Sequence, residues 1–523
     1  MLKKLRVVLA IVFIVGLTAL FVDFTGSAIG PLSWMAKAQF WPAVLSFNII
    51  SLILLVLLTF VAGRIYCSVI CPLGVMQDVF NRFEALRVRK AARKFRFAYQ
   101  PEKKLVRYIV FVIFAIGMIA GAFWAGARVW LALIEPYSMY GRIAADVVKP
   151  VYDAGNNVLA GIAEINDSTL FYRVTSVVGS GPAMWVALIS LFIVGATAFV
   201  AGRAWCNTIC PVGTLLGVIS RFSIFGVRFD ESKCTGCRKC ERNCKAKCID
   251  VKNRKVDYSR CVTCFNCTES CSFGAMTYGI RRNIKAAEPT EPSKTSCDDA
   301  SRRGFMTGLA AIATASVAKA ADALTDSIKP REEKTTDGGY ADITPKHNPD
   351  PEQPLVPPGA ISWRNFSTHC TACQLCVTAC PNEVLKPSTS LDTFMMPQMD
   401  FDLGYCRPEC VRCSEVCPAG AIHKITVAEK SDISVGMARV YMHSCLAAQG
   451  EAACAICARH CPSHAITMMP FDGDHVGKDG LPLRRPVVDE SRCLGCGACE
   501  NLCPVSPVSA IRVDGRDAHT TIG

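Results

Sequence analysis

The sequence predicts an α-helical membrane domain with small α+β cysteine-rich domains attached on both sides of it. Three observations carry that prediction. Four strongly apolar stretches occupy the first 201 residues. Six runs of four closely spaced cysteines come after them, two ending by Cys271 and four starting at Cys370. Between the two groups lies Ser301-Arg302-Arg303-Gly304-Phe305-Met306, with an apolar run of small residues, Thr307–Ala321, directly behind it. That stretch reads as a twin-arginine export signal, which carries folded cargo across a bacterial inner membrane, and Ala318-Lys319-Ala320 resembles a small-x-small cleavage site.

Each apolar stretch is about 20 residues long, enough for a helix to cross a hydrocarbon core. They are Leu5–Val22, Ala43–Ala62, Val106–Ala127 and Ala183–Ala201. The loop between the second and third holds Arg82, Arg87, Arg89, Lys90, Arg93, Lys94, Arg96, Lys103, Lys104 and Arg107, whereas the loop from Arg128 to Pro182 is sparser and mixed in charge. The excess of basic residues places the N-terminus and residues 64–105 in the cytoplasm, and residues 23–42 and 128–182 in the periplasm. The twin-arginine helix, entering from inside, delivers the chain after it to the periplasm. The net charge of +13 is concentrated beside the apolar stretches, so topology accounts for it and a nucleic-acid partner is excluded. Trp34, Trp41, Trp124, Trp130 and Trp185 fit an aromatic belt.

The membrane part contains a repeat. Residues 60–83, FVAGRIYCSVICPLGVMQDVFNRF, recur as residues 199–222, FVAGRAWCNTICPVGTLLGVISRF. Gly63/Arg64, Cys67, Cys71/Pro72 and Gly74 correspond to Gly202/Arg203, Cys206, Cys210/Pro211 and Gly213. A duplicated hairpin places two C-x3-C-P motifs about a pseudo-twofold axis. Their thiols, four residues apart, project to one side of a helical turn. Cys67, Cys71, Cys206 and Cys210 are therefore candidates for a redox or ligand role: holding a metal or cluster, cycling as thiols, or lining a quinone pocket. The alternative is that they pack as small apolar residues.

The remaining cysteines follow a different code. Cys234, Cys237, Cys240 and Cys244 form one run, and Cys261, Cys264, Cys267 and Cys271 the next. C-x2-C-x2-C-x3-C is the ligand pattern of a bacterial two-cluster ferredoxin, in which three cysteines of one run share a 4Fe–4S cluster with the fourth of the other. Cys234, Cys237, Cys240 and Cys271 thus form one set; Cys261, Cys264, Cys267 and Cys244 form the other. Cys248 and Cys297 are surplus, read as packing and linker residues. After the export signal come Cys370, Cys373, Cys376 and Cys380; Cys406, Cys410, Cys413 and Cys417; Cys445, Cys454, Cys457 and Cys461; and Cys493, Cys496, Cys499 and Cys503. These sixteen ligands imply four more clusters, six in all. The widened gaps in the second and third runs suggest that they pair with each other, and the first with the fourth. Such spacing argues against a disulfide framework. All eight histidines lie at or beyond His347 and no C-x-x-C-H occurs, so the membrane part has no histidine to ligate a haem. His369, His423, His443, His460 and His464, near the cysteines, read as surface neighbours of the clusters.

The resulting organisation is a four-span membrane domain (1–225), a cytoplasmic two-cluster ferredoxin (226–282), a linker (283–300) and a twin-arginine signal or fifth helix (301–321). A second, irregular linker (322–358) and a periplasmic four-cluster polyferredoxin (359–523) complete it. The fold class is an α-helical membrane domain with α+β bacterial-ferredoxin-like domains on both sides.

Residues 1–285, with four spans, two C-x3-C-P motifs and two ferredoxin runs, resemble the NapH-type membrane quinol dehydrogenase subunit of periplasmic nitrate reduction. Residues 296–523 resemble its NapG-type twin-arginine-exported partner, and the ferredoxin pair of methylamine utilisation is similar. Here the two stand fused, and cleavage after Ala320 would undo the link. The resemblance implies a quinol dehydrogenase component. It would take electrons from the quinone pool and pass them to a periplasmic reductase or multihaem cytochrome. A quinol site needs a proton acceptor; Glu135 and Asp23, beside the periplasmic span ends, are candidates, with interfacial polar residues as the plainer reading. Two other functions compete: a conduit from cytoplasmic ferredoxin to the periplasm, and a maturation factor for a metalloenzyme. Six clusters suit sustained electron flow better than maturation. Electrons either cross the bilayer through the C-x3-C-P region, or the cytoplasmic ferredoxin serves a separate input.

Overall fold

The computed structural model describes residues 1–87, 97–121, 130–165, 167, 171–174, 181–281, 346–471, 476 and 483–522. The twin-arginine stretch, Cys297, Trp124 and the linker up to residue 345 lie outside them. Residues Met1–Arg281 and Lys346–Gly523 form one compact unit.

Leu2–Val22 is a 21-residue helix. Its run of Leu, Ile, Val and Ala has no proline, and its carbonyls are satisfied internally until the chain turns extended at Asp23. Ala10, Leu17 and Phe21 recur at helical spacing on the buried face, whereas Val8, Ile11, Val12 and Val15 stay exposed. An apolar residue on every face suits a helix surrounded partly by protein and partly by hydrocarbon. Gly181–Ala201 is the second helix long and apolar enough to cross a membrane.

The other two expected spans differ. The stretch Ala43–Ala62 is broken. Phe40–Leu45 is one short helix, Phe47 takes a left-handed φ of 50°, and Asn48 caps a new helix, Ile49–Ala62, by accepting from the Ser51 amide. An asparagine side chain satisfies the free amides of a helix start, so it favours a boundary even inside an apolar run. The surviving helix has 14 residues. The third stretch is helical over Lys104–Ala120; residues 122–129 lie outside the described residues. The expected loop from Arg128 to Pro182 is also largely helix. Pro136–Ile143 passes through a π-turn, Ala144–Val148, into Lys149–Ile165. Proline at the first helical position and Glu135 before it start this element, the carboxylate accepting from the Tyr137 and Ser138 amides.

The two cysteine-rich domains touch different ends of the helices Leu2–Val22 and Ile49–Ala62. At one end, Tyr278 Oη donates to the Ala62 carbonyl (3.0 Å), Lys3 pairs with Glu269, and the Arg203 amide bonds the Lys245 carbonyl (3.0 Å). At the other, Arg412 donates to the Thr25 carbonyl (3.0 Å), and Gly420 packs on Ser46. The helices Leu2–Val22 and Ile49–Ala62 thus each run from one domain to the other.

The first domain is built on two antiparallel pairs, Phe225–Phe229 with Met276–Ile280 and Ile249–Asp250 with Lys255–Val256. Among the described residues the second has three: Leu385–Pro387 with Pro397–Met399, Ile466–Pro470 with Arg484–Val488, and Ile511–Thr521 with Ile433–Val440. Its boundary lies earlier than expected. Leu355 and Val356 are buried in its core, and Lys346 donates to the Glu500 and Asn501 carbonyls. The irregular strap from Lys346 onward therefore belongs to this domain, because an apolar pair and a lysine cap hold it down.

In the last strand, His519 is largely shielded, and neither ring nitrogen has a hydrogen-bond partner among the described residues. Burial pulls its pKa from 6.5 to about 4. Below about pH 6.5 the unfolded chain takes up a proton there that the folded chain refuses, so stability falls as pH falls through that window. We expect the thermal midpoint to drop less steeply between about pH 6.5 and about pH 4.5 in His519→Phe than in the unchanged protein; equal slopes would show that His519 does not contribute.

Candidate functional site: six ferredoxin runs and a buried four-cysteine group

In four of the six runs the backbone takes the same two left-handed turns. The residues two and four places after the first cysteine have positive φ: Gly236 and Arg238, Thr263 and Phe265, Ala372 and Gln374, Gly495 and Gly497. Non-glycine residues rarely adopt that conformation, and it costs energy unless the surroundings demand it. The turns aim backbone amides at sulfur: the Gly236 amide reaches Cys234 Sγ at 3.4 Å, and the Ala372 amide reaches Cys370 Sγ at 3.4 Å. Amide donors aimed at sulfur favour its anionic, ligating form. Neither residue so placed in the second and third C-terminal runs has positive φ; these are the runs whose gaps are widened.

The thiols then group as a two-cluster ferredoxin requires. Cys240 lies within electrostatic range of Cys271, and Cys264 and Cys267 within range of Cys244. In the second domain, Cys370, Cys373 and Cys376 face Cys417, while Cys406 and Cys413 face Cys380. Cys457 lies within electrostatic range of Cys503, and Cys493 and Cys496 within range of Cys461; Cys496 is also within range of Cys406, across the two pairs. The runs therefore pair first with second and third with fourth. This corrects the pairing inferred from gap length: the helix Leu375–Ala379 packs on Arg412–Val416, and Ile456–Arg459 on Ala498–Asn501.

The donor sets fit 4Fe–4S clusters. One apolar hollow is lined by Cys445, Cys454, Cys457 and Cys503, and another by Cys244, Cys261, Cys264 and Cys267. Cys248 also lines the second hollow, its Sγ 3.5 Å from that of Cys244. It stands four residues after Cys244, where Ala421 and Ala465 follow Cys417 and Cys461.

The four remaining cysteines come together between the two domains. Cys67, Cys71, Cys206 and Cys210 are only 3–4% exposed. Each lies within electrostatic range of the other three. The repeat holds them reciprocally. Arg64 Nη2 donates to the Cys206 carbonyl (3.1 Å), and Arg203 Nη1 donates to the Cys67 carbonyl (2.5 Å). Both guanidinium groups are fully buried. Arg203 is balanced by Asp78, which also meets Arg6 and Lys245. Burial pushes the Asp78 carboxyl up, but Arg203, Lys245 and Arg6 together hold it well below the usual carboxylate range. Arg64 meets only neutral oxygens, of Asn207, Ser259 and Cys206, together with Cys67 Sγ at 3.8 Å. Among the described residues it has no carboxylate. A buried cation so placed is compensated when the thiols beside it are anionic, as ligating thiolates are.

This group is flanked on both sides. Cys261 is within range of Arg64, and Cys264 within range of Asp78. On the other side Cys71 is within range of Glu135, which in turn is within range of Cys373. Tyr66 and Tyr137 are buried in the same region. Glu135 and Asp23 are both engaged in local caps: Asp23 accepts from Thr25 and from the Ala28 amide. Trp34, Trp130 and Trp185 are exposed. Arg64, Arg203 and Asp78 carried no assigned role in the sequence, although the recurrence of Gly-Arg three residues before each C-x3-C-P was a signal.

Known proteins share these segments. A 4Fe-4S dicluster domain model matches residues 369–421, which hold the first pair of runs, and residues 452–506, which hold the second pair except Cys445. A 4Fe-4S binding domain model matches residues 46–96 and 183–229, the two halves that carry the C-x3-C-P motifs. The methylamine utilization ferredoxin-type protein MauM of Methylobacillus flagellatus is 36% identical over 171 residues, 31% of this chain and 69% of that protein. The chain belongs to the MauM ferredoxin-type family. The ferredoxin-type protein NapG of Escherichia coli is 36% identical over 157 residues, 28% of this chain and 65% of NapG. An uncharacterized protein of Methanocaldococcus jannaschii is 28% identical over 245 residues, 46% of this chain and 74% of its own length. No solved structure matches. As a member of this family the chain is an iron–sulfur, ferredoxin-type electron-transfer protein.

The reciprocal arginine contacts leave no room at two glycines. A Cβ on Gly74 would lie 2.2 Å from the Cys67 carbonyl oxygen, and one on Gly213 would lie 2.1 Å from that of Cys206. Gly155, by contrast, has nothing within 4 Å. Gly74→Ala and Gly213→Ala should each destabilise the protein by about 1–3 kcal/mol, while Gly155→Ala should be neutral or slightly stabilising. Thermal midpoints of the three variants check this.

Proposed function

We propose that this chain is a membrane-bound electron conduit that takes electrons from quinol and delivers them to a periplasmic acceptor, a reductase or a multihaem cytochrome. The membrane part acts as a NapH-type quinol dehydrogenase component, and the exported part acts as its NapG-like partner. On this reading the protein sits in a bacterial inner membrane, its first ferredoxin in the cytoplasm and its polyferredoxin in the periplasm.

The observation that carries the reading is the buried four-cysteine group, set between ferredoxin domains that touch different ends of the same two helices in a helical body whose outward faces are apolar. The ligand sets are those paired above, six in the ferredoxin runs, with Cys67, Cys71, Cys206 and Cys210 as a seventh. The match of a 4Fe-4S binding domain model to both halves of the repeat supports the seventh set. Clusters of this type, when bound, accept and release single electrons. What the chain's own residues supply is position and charge. Arg64 and Arg203 fix the two hairpins against each other and put positive charge beside the thiols. The left-handed turns supply amide donors to sulfur, and the apolar packing excludes water. This arrangement favours a crossing through the C-x3-C-P region over a separate cytoplasmic input.

One feature favours the second reading, a cytoplasmic ferredoxin donor. Cys237 is exposed, amid exposed Lys233, Arg238 and Lys239, a basic surface suited to an acidic donor.

Anaerobically purified protein discriminates these readings. Six clusters correspond to about 24 iron atoms per chain and seven to about 28. We expect about 28 in the unchanged protein and about 24 in Cys67→Ser/Cys206→Ser. A reduced menaquinol analogue should give the electron paramagnetic resonance signal of reduced clusters in the former only. Equal iron and equal reduction in both would return the four cysteines to packing. No reduction in either, where dithionite succeeds, would remove quinol as the donor.

A further inference from the structure

The membrane part offers no histidine to a quinol, but the fold brings one to it. A cleft of about 670 Å³ opens where the broken second apolar stretch meets the polyferredoxin. That size suits a small-molecule site. One wall is apolar: Trp41, Val44 and Phe47 come from around the helix break, and Ile119 from the end of the Lys104–Ala120 helix. Phe47 and Ile119 are exposed, so the wall continues the outward apolar surface of the helices. The other wall is one face of the helix Trp363–His369, where Asn365, Thr368 and His369 lie at helical spacing. The next residue is Cys370, the first thiol of the polyferredoxin.

We infer that this cleft binds the ring of an isoprenoid quinol, with the isoprenoid tail leaving along the apolar wall and the ring hydroxyl facing His369. His369 Nδ1 lies 2.9 Å from the Asn365 carbonyl. A carbonyl only accepts, so Nδ1 carries the hydrogen and Nε2 keeps a lone pair for a donor such as a quinol hydroxyl. Asn365 Nδ2 already donates to the Ala360 carbonyl and Thr368 Oγ1 to the Arg364 and Asn365 carbonyls, so His369 is the polar group this face offers to a ring hydroxyl. Other hollows fit less well. Those lined by cysteines are filled by the ligand sets already assigned. The cleft along Lys104–Ile113, about 580 Å³, is lined by one helix alone, with an almost wholly apolar surface and no histidine. The break at Phe47–Asn48 and the placing of His369 then share one purpose, to open a ring-sized gap at the membrane-facing edge of the first cluster site. The inference rests on quinol being the electron donor.

The test uses the full chain in detergent, photolabelled with an azidonaphthoquinone in competition with menadione, the labelled peptides being mapped by mass spectrometry. Label is expected in peptides containing residues 41–47, 118–119 and 362–369. Ile119→Trp, which fills the cleft from its lipid side, should weaken labelling by about tenfold or more, with iron content unchanged. His369→Gln, which keeps an acceptor, should retain labelling, and His369→Phe should lose it. Menadione-sensitive label elsewhere, or unchanged labelling in Ile119→Trp, overturns the site and leaves quinol as donor. Label displaced by phosphatidylglycerol and not by menadione overturns it in favour of a lipid. No competable label anywhere overturns the site and the quinol reading together.

Discussion

The reciprocal grip of two buried arginines is the contact on which the centre of this protein depends. Arg64 from one copy of the repeat holds the Cys206 carbonyl, and Arg203 from the other holds the Cys67 carbonyl. Burying a guanidinium costs several kcal/mol unless its donors are satisfied and its charge is answered. Arg203 is answered by Asp78. Arg64 is answered by carbonyl and amide oxygens and by the thiols beside it. The two hairpins are therefore locked by charges that would be intolerable apart. Gly74 and Gly213 are glycines because those guanidinium groups and carbonyls occupy the space where a side chain would begin.

From that centre the architecture extends both ways. Arg64 also reaches the Ser259 carbonyl, and Lys245 joins the ion pair at Asp78, so the lock includes the first ferredoxin domain. Toward the other end, Arg142 donates to carbonyls of Ala132, Leu133 and Ala372, and Gly141 packs directly on the Cys373 carbonyl. The two cysteine-rich domains are thus built into the helical body. For an electron carrier this matters because fixed positions remove the need for diffusive docking between its own domains.

The same logic explains the local strain. Residues such as Arg238, Phe265 and Gln374 sit in left-handed turns that non-glycine side chains avoid. Their cost is tolerated where amides must converge on sulfur. The second and third C-terminal runs hold their thiols by longer loops instead. Their widened gaps describe how the backbone reaches the hollow and carry no information about which run is the partner.

Much of this was legible in the sequence. The cysteine spacing marked the six ferredoxin runs, because thiols two to three residues apart can turn toward one centre. The 24-residue repeat, 60–83 and 199–222, announced two equivalent hairpins. Unbroken apolar runs determined the helices Leu2–Val22 and Gly181–Ala201, where local propensity and burial agree. The tertiary structure decided what depends on contacts between distant residues. It chose the partners among the last four runs through helix packing, and it turned two flanking arginines into a reciprocal lock. Asn48 broke an apolar stretch, since a capping side chain outweighs the preference of its neighbours to continue the helix. Residues 136–165 became helix because neighbouring elements bury Tyr137, Tyr140 and Ile143. A linear sequence records which residues could ligate, cap or pack; only the folded chain fixes which of them meet.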